Sequence, residues 1–346
     1  VNDSQERFEK LGVKVIRAKG SFIAPDTVQA GDYQIKARRF VIATGSSPNI
    51  PNIPGLSSVD YLTNETIFDL KKQPEHLITI GGGPIGCELS QALTMLGTKV
   101  TLIEGFKALP KDDPELVALL LENMKKQGLH LIEQAKILEI KKSQTNQDII
   151  VVIEKEGHQQ EIQGSHLLIA TGRKANIEEL NLASAQIETH SRGITVNQKL
   201  QTSNKKVYAI GDAVGGYQFT HIAGYHAGIV IKNILFRLPA KVDYRAVPWV
   251  TYTDPELAHV GLSIEQALGQ DAKAKVLHFE FKENDRAHAE LHTEGLIKVV
   301  TNRKGVILGV SILGAKAGEL LLPWVVAVRE QKTVRMFTDA IAPYPT

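Results

Sequence analysis

The pattern of hydrophobic and polar positions predicts alternating strands and helices over the first two thirds of the chain. Apolar runs bounded by turn residues predict buried strands at 40–43, 77–80, 100–103, 130–132, 167–170 and 207–210. Apolar residues at helical spacing predict helices at 87–96, 114–127 and 220–235. We expect further strands at 13–23, 27–36, 137–141, 149–154 and 159–162, with a turn at 146–148. This order is typical of α/β domains.

The pattern changes from Tyr244 onward. Strands are predicted at 249–252, 275–281, 296–301 and 306–313, followed by an apolar helix at 317–329. His288 is predicted to lie in a polar surface loop. We therefore expect a separate α+β domain at the carboxyl end.

A glycine-rich turn, Gly81 to Gly86, joins the strand at 77–80 to the helix at 87–96. Gly81 permits a tight turn, Gly83 lets a pyrophosphate approach the backbone, and Gly86 allows close helix packing. The start of the helix supplies N–H donors and the positive end of a dipole. Because strand, turn, helix and second strand come in the required order, the segment predicts a dinucleotide site; the alternative is a tight turn without a ligand.

Glu104 ends the second strand of this unit, where a carboxylate accepts the 2′-hydroxyl of an adenosine ribose. A 2′-phosphate would be repelled there, and no arginine follows closely in Gly105-Phe106-Lys107. The sequence therefore predicts NAD rather than NADP, with NADH bound more tightly than NADPH.

A second candidate site follows the strand at 207–210. Asp212 lies at the carboxyl end of that strand, and a helix-like run begins after Gln218-Phe219-Thr220. Such an aspartate accepts sugar or ribityl hydroxyls, and a helix amino terminus stabilises negative charge on a ring. The geometry suits a flavin, although an ordinary glycine-aspartate turn is the alternative.

Composition limits the classes of binding partner and the cellular location that we expect. The charge is balanced, with 40 basic against 38 acidic residues, and no basic run with interleaved aromatics is present, so we expect no nucleic acid. The longest apolar run, 320–328, is too short to span a bilayer, which requires about 20 residues. A single cysteine, Cys87, favours the reducing cytoplasm. Because the sequence starts with Val1, we expect it to begin inside a longer gene product.

The order of segments resembles the class I pyridine nucleotide-disulfide oxidoreductases, the flavoprotein family of dihydrolipoamide dehydrogenase, glutathione reductase and mercuric reductase. The resemblance covers nearly the whole chain, and its carriers are 41–48, 81–88, 170–173, 208–212, 253–256, 260–261 and 343–346. Segments 284–287 and 317–320 look most like the mercuric-reductase branch. The implied fold is α/β, with two Rossmann-like nucleotide-binding domains, of which the FAD domain is incomplete and the NAD domain complete, and a C-terminal α+β dimerisation domain.

The resemblance implies bounds and site residues. The partial FAD-binding domain would comprise 1–65 and 177–243, the NAD(P)-binding domain 66–176, and the dimerisation domain 244–346 of a homodimer. NAD would be held by Gly81, Gly82, Gly83, Pro84, Ile85, Gly86, Glu88, Glu104, Lys136 and Gly172. FAD would be held by Thr44, Gly45, Ser46, Asp212, Gln218, Phe219, Thr220 and His221. Glu88 matches the family glutamate that orients a lysine beside the flavin, its alternative being a surface helix residue.

The sequence departs from the family pattern at positions that bear on the identity of the electron acceptor. The flavin fingerprint, the C-x4-C redox pair and the lysine partner of Glu88 would precede residue 1 in family members, so this chain lacks the dithiol chemistry. Cys87 fits a small buried packing residue better than a reactive thiol. Tyr344 stands where dithiol-handling members have a histidine; we assign it either a catalytic role or a role as an interface tyrosine. Histidines 221 and 226 are wrongly spaced for a metal on one helical face, so no metal site is expected.

The sequence is compatible with two main functions and one further alternative. The first is a flavin-dependent oxidoreductase that passes hydride from NADH through FAD to a disulfide or a related small-molecule acceptor, active as the full-length product. The second is a non-catalytic NAD-binding, dimerising unit; a transhydrogenase or quinone-type NADH oxidoreductase also remains open.

Overall fold

A computed structural model describes residues 4–144 and 148–346. Its helices, in chain order, are α1 Gln5–Lys10, α2 Pro84–Met95, α3 Pro114–Lys126, α4 Thr220–Ile234, α5 Ile264–Gln270, α6 Asp285–Glu290, α7 Ala317–Leu320, α8 Leu322–Arg329 and α9 Arg335–Thr338. Its strands up to residue 142 are β1 Gly20–Ala24, β2 Thr27–Ala30, β3 Tyr33–Lys36, β4 Phe40–Ile42, β5 Ser46–Pro48, β6 His76–Ile80, β7 Lys99–Ile103, β8 His130–Ile132 and β9 Lys136–Lys142.

The remaining strands are β10 Ile149–Lys155, β11 His158–Gly164, β12 His166–Ile169, β13 Arg173–Ala175, β14 Thr189–His190, β15 Gly193–Ile194, β16 Val207–Ala209, β17 Pro248–Thr251, β18 Glu256–Gly261, β19 Lys275–Glu280, β20 Leu296–Thr301 and β21 Ile307–Gly314. The described residues form two compact units. The first unit runs to Ser47 and resumes over Arg173–Val242; the second unit comprises Pro48–Gly172 and Asp243–Thr346.

The first unit contains an antiparallel sheet of β1, β2 and β3 and a parallel pair of β4 and β16. Its core is apolar and includes Phe22, Ile42, Ile194 and Val207. Phe22 meets Phe40 edge to face, with ring centroids 5.5 Å apart. Helix α4 follows the β16 strand and buries Ile229 and Val230.

The second unit is built on a parallel sheet in the order β12-β6-β7-β8, with the antiparallel meander β11-β10-β9 beside it. The strands of this sheet are apolar at nearly every position because both faces are covered. Leu77 of β6 belongs to the core on one face, with Leu116 and Leu120 of α3, whereas Ile78 belongs to the core on the other face. Helix α3 begins at Pro114 and is capped by Asp113.

The carboxyl-terminal part of the second unit is a five-stranded antiparallel sheet in the order β17-β18-β21-β20-β19. Its core contains Val260, Val310 and Ile312. Leu257, Leu296 and Leu313 belong instead to the same apolar core as Leu116 and Leu120 of α3. The two parts of this unit therefore share buried surface.

The alternation of elements predicted from the sequence is confirmed, but several element ends differ. The strand expected at 13–23 is wrong in its first part: β1 begins at Gly20, where pairing with β2 begins, and Val13 is 48% exposed. The helix expected at 87–96 begins earlier, at Pro84, because proline suits the first turn of a helix. Strand β18 was not expected. The predicted turn at 146–148 falls, except for Asp148, outside the described residues.

Two corrections concern the carboxyl-terminal part. The loop expected around His288 is wrong: α6 forms there because the Asn284 side chain accepts a hydrogen bond from the backbone of Ala287. The single helix expected at 317–329 is divided into α7 and α8 near Leu321, since Pro323 has no N–H for a continuous helix and lies in the first turn of α8.

Candidate functional site

The glycine-rich turn after β6 is held by contacts that exclude larger residues. Gly81 has φ 109°, and a Cβ there would lie 2.4 Å from the carbonyl oxygen of Ala170. A Cβ on Gly86 would lie 1.8 Å from the carbonyl oxygen of Gly81. These distances are shorter than any real contact, so both positions require glycine.

Gly83 differs from its neighbours. A Cβ on Gly83 would meet nothing within 4 Å, and its φ of −75° suits any residue. It is the N-cap of α2, no side chain caps that helix, and Pro84 and Ile85 form its first turn. The backbone N–H groups of that turn favour an anion. The space over Gly83 therefore admits a phosphate group against the backbone.

Glu104 lies beside the same turn. Its Oε2 accepts a hydrogen bond from the N–H of Gly82 at 2.6 Å, and its Oε1 accepts one from the N–H of Phe106 at 2.9 Å. The backbone of Glu104 is itself fixed, because its N–H donates to Ile132 at 2.8 Å and its carbonyl accepts from Ala135 at 3.1 Å. The carboxylate is thus held at the carboxyl end of β7, at the edge of the sheet where ligands bind in α/β folds.

The other two residues expected for NAD lie near this edge. Gly172 has φ 96° and accepts a hydrogen bond from the N–H of Asn49 at 2.9 Å. It follows β12, whose neighbour in the sheet is β6, so it lies on the same edge as the glycine turn. Lys136 is exposed at the start of β9, directly after Ala135.

Glu88 faces the carboxyl-terminal part of the same unit. It is half-buried, and its Oε1 accepts a hydrogen bond from the N–H of Tyr252 at 2.8 Å. Burial raises the pKa of Glu88, although the bond from Tyr252 opposes the shift. One turn further along α2, the amide of Gln91 donates to the carbonyl of Asp254 at 2.6 Å and accepts from its N–H at 2.7 Å. Glu88 is therefore not a free surface residue.

The residues expected for FAD in the first unit form a hydrogen-bonded group. Ser46 Oγ donates to Asp212 Oδ2 at 2.6 Å, and Arg173 Nε donates to Ser46 Oγ at 2.7 Å. Gly45 has φ 68° and accepts a hydrogen bond from the N–H of Asn176 at 3.0 Å. The carbonyl of Thr44 accepts from the Asn176 side chain at 3.1 Å. Asp212 is thereby held half-buried at the carboxyl end of β16.

The helix expected to face the flavin begins as predicted. Helix α4 begins at Thr220, its N-cap is Phe219, and no side chain caps it. The ring of Phe219 stacks on His221 with centroids 5.1 Å apart, and Gln218 precedes it. The amino end of α4 thus presents backbone N–H donors next to the stacked side chains of Phe219 and His221.

Sequence reasoning missed two residues of this group. Arg173 directly follows the Thr-Gly turn after β12, and this position in the motif could have identified it from the sequence. It also donates a hydrogen bond to the carbonyl of Ser46 at 2.6 Å. His226 is buried, and its Nδ1 accepts a hydrogen bond from the N–H of Gly211 at 3.1 Å. Burial lowers the pKa of His226, so the neutral ring fixes the turn before Asp212.

Tyr344 and Cys87 are the two remaining residues that the sequence singled out. Tyr344 is 82% exposed, and its hydroxyl donates to Asp285 Oδ2 at 3.1 Å. Because the phenol donates this hydrogen bond to a carboxylate, the pKa of Tyr344 is raised, and less phenolate is present to act as a base at neutral pH. Cys87 is fully buried, and burial raises the pKa of its thiol to about 12.

The described residues contain neither a cluster suited to a metal ion nor a helix suited to a membrane. Across 4–144 and 148–346, no group of three or more His, Cys, Asp or Glu side chains is arranged to hold a metal ion. No helix in the described part of the chain has the length and apolar character needed to cross a membrane.

Sequence comparison agrees with this arrangement of turns and sheets. The family profile of pyridine nucleotide-disulphide oxidoreductases matches residues 2–227, and the profile of that family's dimerisation domain matches residues 247–346. The chain belongs to the pyridine nucleotide-disulphide oxidoreductases. The family and its α/β fold are therefore confirmed as the sequence predicted.

Relatives within the pyridine nucleotide-disulphide oxidoreductases match most or nearly all of the chain. A mercuric reductase of Staphylococcus aureus is 39% identical over 351 residues, covering 99% of this chain and 63% of the relative. A dihydrolipoyl dehydrogenase of Bacillus subtilis is 32% identical over 313 residues, covering 90% of this chain and 66% of the relative. The HOCl-induced flavoprotein disulfide reductase RclA from Escherichia coli aligns with a TM-score of 0.89 and 26% identity over 99% of this chain and 79% of that chain. The chain thus spans less than two thirds of the mercuric reductase it matches.

Proposed function

We propose that this chain is part of an FAD-dependent oxidoreductase that passes hydride from NADH through FAD to a disulfide or a related acceptor, and that it acts as a homodimer in the cytoplasm. Membership of the family supports the reaction class. The match of residues 247–346 to the family's dimerisation domain supports the homodimer. The use of a single cysteine, which is buried, supports a reducing compartment.

The observation that carries the proposal is the geometry of the glycine turn. Gly83 leaves room for a pyrophosphate at the start of α2, and Glu104 is held by Gly82 and Phe106 at the position of a ribose acceptor. Phosphate and ribose recognition are thereby combined on one edge of the parallel sheet. This combination supports a dinucleotide and, because Glu104 repels a 2′-phosphate, NADH over NADPH.

The residues of the first unit fit a flavin dinucleotide. Asp212 presents a carboxylate fixed by Ser46, and the uncapped amino end of α4 offers backbone N–H groups. When bound, the flavin would supply the redox centre between the nicotinamide and the acceptor. Asp212 would bind hydroxyl groups of the cofactor, Arg173 would hold Ser46 in place, and Thr44 and Gly45 would shape the turn beside them.

Glu88 and Tyr344 have different parts in this proposal. Glu88 is held by Tyr252 and would position a lysine of the complete protein by a charge-assisted hydrogen bond. Tyr344, bonded to Asp285, would contribute at the subunit interface rather than as a base.

A second candidate function is a non-catalytic unit that binds NAD and dimerises. The buried thiol of Cys87 favours it, because the only cysteine of the sequence has a pKa of about 12 and is unsuited to dithiol exchange. A transhydrogenase or quinone-type acceptor is compatible with the same observation.

An absorbance spectrum of the purified chain, combined with NADH titration, separates the candidates. A visible flavin band that is bleached by NADH supports the oxidoreductase. A colourless preparation that still binds NADH contradicts flavin chemistry for this chain and supports the second function. Absence of NADH binding contradicts both.

Substitution of Glu104 tests the nicotinamide preference. We expect the wild-type chain to bind NADH more tightly than NADPH by about tenfold or more, since a 2′-phosphate beside the carboxylate is repelled. Glu104→Arg should improve NADPH binding and weaken NADH binding. Glu104→Gln is the matched variant, because its amide oxygen still accepts from Gly82 while the charge is gone; it should lose the preference without losing NADH. Equal wild-type affinities in fluorescence titrations would refute the role of Glu104.

A further inference from the structure

The carboxyl end of α4 displays a dense group of exposed apolar side chains. Four residues, which we call the α4 tip, are 46%, 69%, 66% and 53% exposed: Ile231, Leu235, Phe236 and Leu238. Four large apolar side chains within one short stretch form a patch rather than single scattered exposures, and such patches mark interaction sites. The helix begins at Thr220, beside the proposed flavin site, and a helix of this length places the tip about 20 Å from that end. The tip is therefore a separate feature.

The backbone of the α4 tip is fixed by a closed turn. The N–H of Leu238 donates to the carbonyl of Lys232 at 2.9 Å, and Arg237 between them has φ 54°, which is the geometry of a helix C-terminal cap. The opposite face of the helix is buried in an apolar core through Ile229 and Val230. The tip thus projects outward from a defined backbone, so that little ordering is required when a partner covers it.

Basic side chains flank the α4 tip. Lys232, Arg237 and Lys241 are exposed, and in the described part of the chain none of the three is paired with a carboxylate. Over residues 189–242 the sequence has a single acidic residue, Asp212, which lies at the proposed flavin site. The same segment has seven basic residues: Arg192, Lys199, Lys205, Lys206, Lys232, Arg237 and Lys241. The balanced charge of the whole chain therefore does not apply to this segment, which is strongly basic and contains the tip.

We propose that the α4 tip inserts between the headgroups of a membrane that carries anionic lipids, and so docks the chain reversibly on that surface. Leucine, isoleucine and phenylalanine partition into the boundary between headgroups and acyl chains, while neighbouring lysine and arginine attract anionic headgroups. The stems of Lys232 and Lys241 can lie along apolar surface with their ammonium groups in water. A protein partner fits the tip less well, because lysine is depleted at protein interfaces. The docking is independent of the proposed hydride transfer, so either proposal can fail alone.

Sedimentation with lipid vesicles tests this docking. We expect the wild-type chain to bind phosphatidylcholine vesicles that contain about 30% phosphatidylserine, and to bind pure phosphatidylcholine at least about tenfold more weakly. Binding should weaken as salt is added, because the charges are screened. Leu235→Ser combined with Phe236→Ser should lower the affinity about tenfold or more, since the inserted apolar surface is lost. Lys232→Gln, Arg237→Gln and Lys241→Gln together should also lower it about tenfold or more.

Met95→Ser combined with Leu96→Ser is the matched control, since these are two exposed apolar side chains at the end of another helix, α2. This variant should bind vesicles like wild type. The fluorescence of Phe236→Trp gives a second measurement, with wild type as the background for Trp249 and Trp324. Brominated lipid should quench the added tryptophan, because the tip reaches the acyl boundary. This quenching decides the question alone if the serine pair fails to fold in urea titrations.

Several results would overturn the inference. One is the absence of binding to anionic vesicles, or equal binding to neutral and anionic vesicles. Another is wild-type binding by the folded Leu235→Ser, Phe236→Ser variant, or no quenching of Phe236→Trp by brominated lipid. A third is a fall in molecular mass of that serine variant in sedimentation velocity without lipid, because the tip would then be a contact between copies of the chain.

Discussion

Individual side chains in the second unit owe their chemical character to burial. Cys87 lies in α2 against the apolar core, and its sulfur lies 3.5 Å from the carbonyl oxygen of Gly82. Removal from water raises its pKa to about 12, and the nearby carboxylates of Glu88 and Glu104 add to the shift. The thiol is therefore a packing group, as the sequence predicted from its position after the glycine turn.

Thiol labelling tests this character. At pH 8 we expect Cys87 to react with a disulfide reagent at least about 100-fold more slowly in the folded chain than in urea, because the thiolate is scarce and covered. Time-resolved absorbance of the released chromophore gives both rates. Similar rates in the two states would contradict the buried position.

At the scale of elements, Gly83 and Gly86 of the glycine turn are required for different reasons. A Cβ at Gly86 would collide with the backbone of Gly81, whereas a Cβ at Gly83 would enter open space at the start of α2. Glycine is therefore needed at position 86 for packing within the fold, and at position 83 for the space that a ligand would occupy.

Paired alanine substitutions separate these demands. Gly86→Ala should lower the free energy of unfolding by at least about 2 kcal/mol, because backbone atoms must shift. Gly83→Ala should unfold like wild type but lose most of its NADH affinity, since the methyl group occupies the space for the pyrophosphate. Urea unfolding and NADH titration of both variants check the outcome. Full NADH binding by Gly83→Ala would place the pyrophosphate elsewhere.

Features formed by residues close together along the chain could be predicted from the sequence, whereas features formed by distant residues could not. The turn, α2 and Glu104 were predictable because they follow each other within one short segment and each has a local signature. Arg173 was not assigned to the site because its partner Ser46 is 127 positions away, and only the fold brings them together. Helix α6 was missed because it is six residues long and begins with a cap rather than with an apolar pattern.

At the scale of the molecule, the nucleotide part and the carboxyl-terminal part of the second unit are joined by partly buried polar contacts. Trp249 Nε1 donates to Asp112 Oδ1 at 2.7 Å. Lys298, only 8% exposed, is paired with Asp113 at 2.7 Å and with Glu115 at 2.9 Å. Burial opposes the charge of Lys298, but its hydrogen bonds to the two carboxylates outweigh that effect and raise its pKa. Such pairs are costly to break singly.

Asp112, which lies in the contact between the two parts of the second unit, makes folding stability depend on pH. Burial raises its pKa from 3.8 to about 6, although the bond from Trp249 opposes the shift. Between these values the folded chain binds the proton more tightly than the unfolded chain, so this group lowers stability as pH rises from about 4 to about 7. Asp112→Asn keeps a hydrogen-bond acceptor for Trp249 and should remove this loss of stability. Relative to wild type, its free energy of unfolding should be higher by about 1–2 kcal/mol at pH 7 and equal near pH 4.

Urea unfolding of wild type and Asp112→Asn at intervals from pH 4 to pH 7.5 measures the difference. Asp60→Asn, in an exposed segment, is the control and should show no such trend. A difference between Asp112→Asn and wild type that is constant with pH would show that folding does not shift the pKa of Asp112 and would contradict the prediction.

The apolar core common to α3 and to Leu257, Leu296 and Leu313 has an evolutionary consequence. Core residues that touch must vary together, since a change of volume on one side leaves a cavity or a collision on the other. In chimeras between members of the family, residues 66–176 and 244–346 should therefore function best when inherited from one parent. Gene recombination within the family is expected to respect that linkage, even though most of the first unit separates the two segments along the chain.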